Sequence, residues 1–479
     1  MKKSIFSIIA MAGLLFFTNC SDDVLDKDPQ SDVSLENIKE IIANNPSQAA
    51  SILEGLEAGN QRYLVEYVDT DFTGLISVKL GTDLMSNDMT MANWHWMGHF
   101  YNYLSRNLTS NQSYYIWRFN YKVVYNMNLI LEYMPEWYGN DPLLVELRGR
   151  VLAMRASAYF DLIRLYANGE EGIPYYSKEL YNTNRVPTSV VYQKIEADLL
   201  EAYGALQSYS RPTSKKDLIN KNVVAGLLSR LYITLGRNTE AAQYAKLARQ
   251  GYTPMDETAL LAGFNDVSNS EWMWGSKIDG TTNSGYASFF SHMDNTNYSG
   301  YAGGLGANKG VDKKLYDNIS STDLRKKWFA SSTNYYWLPV YSGVKFRGSE
   351  SFLGDLVYMR AAEMYLLEAE ALALSGNESE AKQVLYDLVS KRDPQYVLST
   401  NSGEALVKEI RTHKRIELWG EGFAFFDMKR TNTPLERDYV GSNHPTWGKR
   451  NYPADSPKFI YQIPQTEINT NPTLPQNPS

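Results

Sequence analysis

Apolar residues recur at the spacing of an α-helix over most of this chain. Leucine, valine, isoleucine and aromatic side chains stand three or four positions apart, with charged residues between them, as on a helix that buries one face. In residues 143–166, Val151, Leu152 and Tyr159 mark such a face. The pattern predicts helices at Tyr114–Met134, Leu143–Tyr166, Val190–Leu206, Val223–Leu235, Thr239–Arg249, Asp355–Ser375, Ser379–Lys391 and Glu404–Trp419.

Two pairs of these helices share a local sequence pattern at the turn between them. Gly236–Ala241 and Gly376–Ala381 each follow one predicted helix and open another. We expect the glycine to end the first helix in the left-handed conformation, Thr239 or Ser379 to cap the second, and the alanine to allow close helix approach. This unit resembles a tetratricopeptide repeat. The sequence therefore predicts a mostly α fold, with tetratricopeptide-repeat-like helix pairs forming a scaffold with long irregular insertions.

Three long segments lack this periodicity. Residues 69–113 hold Gly, Asp, Asn, Met and Trp, residues 263–350 are rich in Gly, Ser, Asn and Tyr, and residues 430–479 are rich in Pro and Asn. Long irregular segments in a compact protein often carry binding residues. We therefore search these insertions for a ligand site.

The first residues have the features of a bacterial lipoprotein signal. A positive Met1–Lys3 precedes the apolar run Ile5–Phe17, which is shorter than the roughly 20 residues that span a bilayer. Cys20 is the only cysteine of the chain and resembles the acylated cysteine of a lipobox. Ser21–Asp23 looks like the acidic signal that exports such lipoproteins to the outer face. We expect residues 1–19 to be a signal peptide, Cys20 to carry the lipid, and residues 20–33 to be an acidic tether.

The composition narrows the function of the body. The chain has 54 acidic and 47 basic residues, a net charge of −7, which argues against nucleic acid as a partner. With one cysteine it forms no intrachain disulfide. Its 35 tyrosines and 10 tryptophans supply a large core and also flat faces on which sugar rings stack.

Four sequence patches together are similar to one protein family, the SusD/RagB outer-membrane nutrient-binding lipoproteins. They are Arg155–Tyr166 with Gly172–Pro174, Arg360–Ala371, Arg415–Arg430, and Ile463–Pro478. Ala424 departs from the family pattern, which often has a basic residue there. The resemblance implies a single SusD-like body over residues 34–479, with an N-terminal part at 34–260 and a C-terminal RagB/SusD part at 261–479.

The resemblance also implies a function and a partner. Proteins of this family capture nutrients at the cell surface and deliver them to a TonB-dependent, SusC-like outer-membrane transporter. We therefore expect a lipid-anchored outer-membrane protein that binds oligosaccharide or polysaccharide. Two alternatives stay open, a binder of peptides or another nutrient in the same family, and a repeat scaffold that binds only protein partners.

Charged residues inside the family patches have a structural interpretation. They are Arg360, Glu363, Arg415, Glu417 and Glu421. They stand on otherwise apolar helices, where an unpaired charge is costly to bury. We expect each of them to be paired with an opposite charge and not to contact ligand.

The sequence carries no recognisable catalytic motif. It contains no His-Glu-x-x-His, Gly-x-Ser-x-Gly or Walker-type sequence, and Gly304–Gly310 only approximates a dinucleotide loop. His95 and His99 have helical metal-ligand spacing, but no third ligand stands nearby and Trp96 occupies the place of a catalytic Glu. Asp83 and Asp88 suit a glycosidase pair only if folding sets them across a bond. We expect no enzyme activity, no metal and no cofactor.

Two stretches of the insertions combine aromatic rings with hydroxyl-binding side chains, as a site for neutral glycans requires. The predicted ligand residues are Asp83, Asn87, Asp88, Asn93, Trp94 and Trp96 in the first stretch, and Asn283, Tyr286, Phe289, Asn295, Asn297, Tyr298 and Tyr301 in the second. The alternating run around Trp272 and Trp274 indicates core positions. The pattern does not decide between core and surface for Trp328 and Trp337.

Overall fold

The computed structural model describes residues 35–69, 72–104, 106–177, 181–282 and 284–479. The chain forms two compact units, one ending at Ala49 and the other running from Ala50 to Ser479. Within these described ranges, no helix has the length and apolar character needed to cross a membrane. Cys20, the predicted signal peptide and the predicted tether lie outside the described residues.

Helices dominate the described structure. Their bounds are α1 Leu35–Asn44, α2 Pro46–Tyr63, α3 Gly74–Leu84, α4 Gly98–Tyr101, α5 Asn111–Tyr133, α6 Pro142–Tyr166, α7 Thr188–Ala205, α8 Lys221–Thr234, α9 Asn238–Ala248, α10 Glu257–Leu260, α11 Phe289–Met293, α12 Lys313–Asp317, α13 Ala361–Leu374, α14 Glu378–Val389, α15 Gly403–Glu417, α16 Ala424–Arg430 and α17 Gln465–Thr470.

The strands are short and pair only two by two. Their bounds are β1 Tyr67–Asp69, β2 Phe72–Thr73, β3 Met89–Met91, β4 Glu171–Tyr176, β5 Tyr181–Pro187, β6 Trp272–Ser276, β7 Lys309–Val311, β8 Leu356–Arg360, β9 Leu435–Glu436 and β10 Asn451–Tyr452. The antiparallel pairs are β1–β2, β3–β7, β4–β5, β6–β8 and β9–β10.

The scaffold consists of helices packed against their neighbours in sequence. α5 packs on α6, α6 on α7, α8 on α9 and α13 on α14, and α13 also contacts α9. α6 begins where the carboxylate of Asp141 accepts a hydrogen bond from Leu143 N at 2.9 Å, with Pro142 in its first turn. Val151 and Tyr159 on its predicted face have no exposed surface. The predicted helix pairs are therefore present, with ends within three residues of the predicted ends except for the Asp355–Ser375 segment.

The two repeated turns fold as predicted at the glycine but not at the cap. Gly236 and Gly376 have φ values of +72° and +82°, the left-handed conformation that a glycine adopts without strain. Thr239 and Ser379 are not caps, because the second helix restarts two residues after the glycine and already includes them. The alanines that close each pattern are fully buried between the helices.

One predicted helix is wrong at its start. Residues 356–360 of the predicted segment Asp355–Ser375 form β8, which pairs with β6 so that Trp272 faces Arg360. All five residues of β8 are buried. A short apolar run buried on both faces has no period that separates strand from helix, which explains the error. Trp272 and Trp274 are core residues as predicted, Trp328 is buried as well, and Trp337 is 53% exposed.

Behind β8 lies a network of buried opposite charges, which we call the ion-pair core. Arg360 donates to carboxylate oxygens of Glu271 at 2.7 Å, Glu417 at 2.6 Å and Glu421 at 2.8 Å. The surrounding guanidinium groups of Arg392 and Arg360 hold the pKa of Glu417 well below its usual value, although burial alone would raise it. The network joins α15 to β8 and to Glu271, the residue just before β6.

The other charges predicted to be paired also have partners. Arg230 Nε donates to Glu363 at 2.6 Å, and Arg415 Nε donates to Asp88 at 3.0 Å. The prediction that these charged residues are paired with opposite charges is therefore confirmed for all five, whereas the expectation that they do not contact ligand stays a prediction. Ala424, the departure from the family pattern, is the first residue of α16, and its N–H donates to Asp83.

Candidate ligand-binding surface

The pairing of β3 with β7 brings the two predicted ligand stretches together. Met91 lies opposite Lys309, and Ala92 N donates to Asn308 O at 2.9 Å just beyond the pair. Asn295, which is fully buried, donates to Lys309 O at 2.7 Å and to Gly343 O at 2.8 Å. This asparagine thus ties the second stretch to β7, so its role is to position the loop.

Three exposed rings from these stretches belong to two series of aromatic contacts. Trp96 and Tyr286 are the ends of one series, which runs through His95 and Tyr301, whereas Trp94 contacts His99 and Trp447. Trp94, Trp96 and Tyr286 are 44%, 45% and 42% exposed. His95 lies between the two tryptophans in sequence, and its ring centroid is 5.9 Å from Trp96 and 4.0 Å from Tyr301. The ring of Tyr301 lies 4.2 Å from Tyr286. We call the three exposed rings the aromatic platform and describe His95 and Tyr301 as its supporting rings.

Two glycines allow the backbone around the platform to pass close to its side chains. A Cβ on Gly98 would lie 3.1 Å from the Trp94 ring, closer than side chains normally pack. Gly306 has a φ of +67°, and a Cβ there would lie 2.9 Å from the amide nitrogen of Asn93. Asn93 is exposed. It therefore places a hydrogen-bonding amide next to Trp94, as the glycan site predicted from the sequence requires.

A tryptophan that the sequence analysis did not single out completes the support. Trp447 belongs to the Pro- and Asn-rich insertion of residues 430–479 and is partly buried. Its Nε1 donates to Ala92 O at 3.1 Å, and its ring centroid is 5.4 Å from that of Trp94. No local pattern reveals this contact, because the two tryptophans are far apart in sequence. The composition of the insertion was the only available signal.

The two histidines of the first stretch are uncharged at neutral pH and contact different rings. Burial lowers the pKa of His95, and the charge of Lys309 lowers it further; burial also lowers the pKa of His99. His99 lies in α4 with its ring 5.0 Å from Trp94, whereas His95 precedes that helix and contacts Tyr301. In the part of the chain that the structure describes, no three His, Cys, Asp or Glu side chains cluster as metal ligands.

Besides Asn295, four of the predicted ligand residues are instead engaged in contacts within the protein. Asp83 is 2% exposed and accepts a hydrogen bond from Ala424 N at 3.2 Å; burial raises its pKa to about 7. Asp88 is 3% exposed and pairs with Arg415. Phe289 is 6% exposed and packs on Phe290 and Phe346. The side-chain amide of Asn87 donates a hydrogen bond to Pro434 O and accepts one from Glu436 N. Because these side chains are occupied by protein contacts, we leave them out of the proposed site.

The remaining predicted residues differ in position. Tyr301 is 8% exposed and supports the platform from below. Tyr298 is 62% exposed in the loop that follows α11. The side-chain amide of Asn297, in the same loop, donates to Ser349 O and Glu350 O in a later segment of the chain. Asn283 lies outside the described residues.

Comparisons with known sequences agree along nearly the whole chain. A model of the SusD family matches residues 230–479, and a model described as starch-binding associating with outer membrane matches residues 23–233. No curated protein matches the chain.

Comparisons with solved structures show the fold. A SusD-like carbohydrate binding protein from Bacteroides vulgatus is 25% identical, with a TM-score of 0.75 over 89% of this chain and 97% of that chain. A SusD superfamily protein from Bacteroides thetaiotaomicron is 20% identical, with a TM-score of 0.74 over 90% and 100%. A laminarin binding SusD-like protein is 19% identical, with a TM-score of 0.67 over 90% and 99%. The mostly α, SusD-like fold predicted from the sequence is confirmed.

Proposed function

This chain belongs to the SusD family, and we propose that it captures oligosaccharide or polysaccharide at the cell surface and passes it to a TonB-dependent outer-membrane transporter. The observation that carries the proposal is the aromatic platform, because three large rings there are more than two-fifths exposed. Most other large aromatic side chains of the described residues are buried or partly buried. The match to a family model described as starch-binding also supports a glycan ligand.

The platform has the chemistry that sugar rings need. A pyranose has an apolar face, which stacks on an aromatic ring, and a rim of hydroxyl groups, which needs hydrogen-bond partners. Trp94, Trp96 and Tyr286 offer the ring faces, and the exposed Asn93 amide offers both a donor and an acceptor. The uncharged state of His95 and His99 keeps the site suited to a neutral ligand.

We propose a binding protein and not an enzyme. The two carboxylates that suited a glycosidase pair, Asp83 and Asp88, are occupied by Ala424 N and Arg415. Both side chains are at most 3% exposed, so neither carboxylate faces the surface where a sugar would bind. The family membership is consistent with capture without chemistry.

The membrane part of the proposal rests on the sequence and the family. The signal-like N-terminus and Cys20 support lipid anchoring, and the family model described as associating with outer membrane supports the location. The transporter partner follows from the family resemblance. Purification from native membranes under mild detergent should recover a TonB-dependent transporter with this protein, and recovery of the protein alone would count against delivery.

The binding experiment uses the full chain purified in detergent. Calorimetry and affinity gels would test laminarin, soluble starch and a peptide pool against the wild-type protein, Trp94→Ala and Trp96→Ala. Trp337→Ala is the matched control, because Trp337 is 53% exposed and contacts Tyr335 and Tyr336 instead of the platform. We expect glycan binding that falls about tenfold in each platform variant and stays unchanged in the control.

The same experiment separates the alternatives. A peptide signal without glycan binding would favour the peptide or other-nutrient binder of the same family. Binding of neither, with a protein partner in the membrane purification, would favour a repeat scaffold that binds only proteins. Glycan binding that is equal in all variants would keep the ligand class and remove the platform as its site.

A further inference from the structure

We infer that Trp447 is the positioning residue of the glycan site, because it fixes Trp94 in the orientation that stacks on ligand. This inference rests on the proposed function and adds a residue from a third insertion, far from both predicted stretches. Trp447 acts through Trp94, so its effect on binding should disappear when Trp94 is absent.

The contacts of Trp447 surround the base of the platform. Its ring meets Trp94 edge to face, with centroids 5.4 Å apart and planes at 67°, an arrangement that leaves Trp94 able to present a face outward. Its Nε1 donates to Ala92 O, which holds the backbone two residues before Trp94. On its other side the ring meets Tyr101 at 5.0 Å, and Tyr101 is fully buried. Trp447 therefore joins the exposed platform to the core.

The segment that carries Trp447 is itself held firmly. Arg437 is fully buried, and its guanidinium donates to Tyr101 O at 2.6 Å and to Ser86 O at 3.0 Å. Arg450 donates to Trp447 O at 2.6 Å and also to Asn102 O. These bonds tie both ends of the segment to the backbone that precedes and follows the platform loop. A support held in this way limits the rotamers of the ring that packs on it.

The expected gain is one of pre-organisation. A tryptophan that must be ordered when ligand binds loses side-chain freedom, which corresponds to roughly a twofold to tenfold loss of affinity. Removal of the Trp447 indole takes away one of the two edge-to-face neighbours of Trp94 and leaves only His99 beside a ring that is already 44% exposed. Trp96 contacts His95 instead, so its orientation does not depend on Trp447 in the same way.

The test is a pair of double-mutant cycles on the full chain purified in detergent, with laminarin and soluble starch as probes. Trp447→Ala is measured alone, with Trp94→Ala and with Trp96→Ala. We expect Trp447→Ala to weaken binding about fivefold alone and with Trp96→Ala, and to change it less than twofold with Trp94→Ala. Trp447→Phe, which keeps a ring and loses the Nε1–H, should give an intermediate affinity.

A spectroscopic readout separates positioning from loss of structure. Coupling between these two indoles should contribute to the circular dichroism of the aromatic side chains, and we expect Trp94→Ala or Trp447→Ala each to remove this contribution and Trp96→Ala to keep it. Thermal unfolding identifies any variant that fails to fold, and Trp447→Phe then serves in its place. Equal effects of Trp447→Ala with and without Trp94 would overturn the inference, as would unchanged affinity. Wild-type protein that binds neither glycan would instead overturn the proposed function.

Discussion

The ion-pair core buries charged side chains, whereas the aromatic platform exposes large apolar rings. Arg360 and Glu417 are charged but fully buried, and each bonds several partners. Trp94 and Trp96 are apolar but almost half exposed. Burial of a charge and exposure of a large ring both oppose the usual preference of the residue, so each needs a reason. In the ion-pair core the reason is mutual pairing, and for the platform we propose that the reason is ligand binding.

If the platform binds ligand as we propose, this contrast separates the residues that hold the fold from those that select the ligand. Arg360, Glu417 and Glu421 of the ion-pair core belong to the sequence patches by which the chain resembles its family, whereas Glu271 and Arg392 lie outside these patches. The platform is built from insertions that carry no periodic pattern. A shared scaffold with variable rings on its insertions can bind different ligands without a change of fold.

The largest effect should come from breaking the ion-pair core. Glu417→Gln removes the carboxylate that Arg325, Arg360 and Arg392 share. Leaving buried guanidinium groups without a counter-charge should lower the free energy of unfolding by about 3–5 kcal/mol in urea titrations. Glu380→Gln is the control, because the Lys246–Glu380 pair is about half exposed. It should change the free energy of unfolding by less than about 1 kcal/mol.

The sign of the acid dependence follows from the same core. The pKa of Glu417 is well below its usual value in the folded protein, so its ionised form stabilises the fold. That stabilisation is complete above the unfolded pKa of 4.5 and is lost as the pH falls through the folded pKa. The difference in the free energy of unfolding between the wild-type protein and Glu417→Gln should therefore become smaller only in strongly acidic solution. A difference that shrinks already near neutral pH would contradict the assignment.

Tyr301 belongs to the buried interior and also contacts the rings of the aromatic platform. Tyr301→Ala removes the ring that contacts His95 and Tyr286, so it should lower the free energy of unfolding by about 3 kcal/mol and also weaken glycan binding. Tyr301→Phe keeps the ring and should retain both properties. Loss of stability with full glycan affinity in the alanine variant would show that the platform does not depend on this support.

Substitution of Asp83 should have a smaller effect, which appears as a change in how the free energy of unfolding depends on pH. Burial raises its folded pKa from 3.8 to about 7, so between these values the unfolded chain has released the proton that the folded chain keeps. The free energy of unfolding should therefore fall as pH rises through this window. Asp83→Asn should remove that contribution, as measured by urea unfolding at several pH values. Lys79, whose pKa burial lowers to about 8, acts in a separate window at higher pH.

The helical scaffold was predictable because its signal is local and periodic. Gly236 and Gly376 also had a local signal, since each stands between two helices. The strand β8 was not predictable, because a run of five buried residues looks the same in either conformation. Thr239 and Ser379 were assigned as caps because their residue type suits a cap, yet the turn places the helix start earlier.

The candidate site was predictable only in part. Trp94, Trp96 and Tyr286 stand out as aromatic residues in irregular segments, but the same reasoning also selected Asp83 and Phe289, which are buried. Composition identifies a segment, whereas the face that each residue presents depends on backbone geometry that only the β3–β7 pairing sets. Trp447 reaches the site through contacts distant in sequence, and no single-sequence pattern encodes these.

Tyr298 should show the smallest effect and defines the edge of the platform. It is 62% exposed and lies in the loop after α11, beyond the rings that Tyr301 supports. Ordering so exposed a side chain on ligand costs rotamer entropy that offsets the stacking, so Tyr298→Ala should weaken laminarin and starch binding no more than about twofold and leave unfolding unchanged. Tyr336→Ala, at a tyrosine 75% exposed in a separate loop, is the matched control and should have no effect on glycan binding. A tenfold loss in Tyr298→Ala alone would extend the ligand across this loop, and the contrast between platform and scaffold would then include a fourth ring.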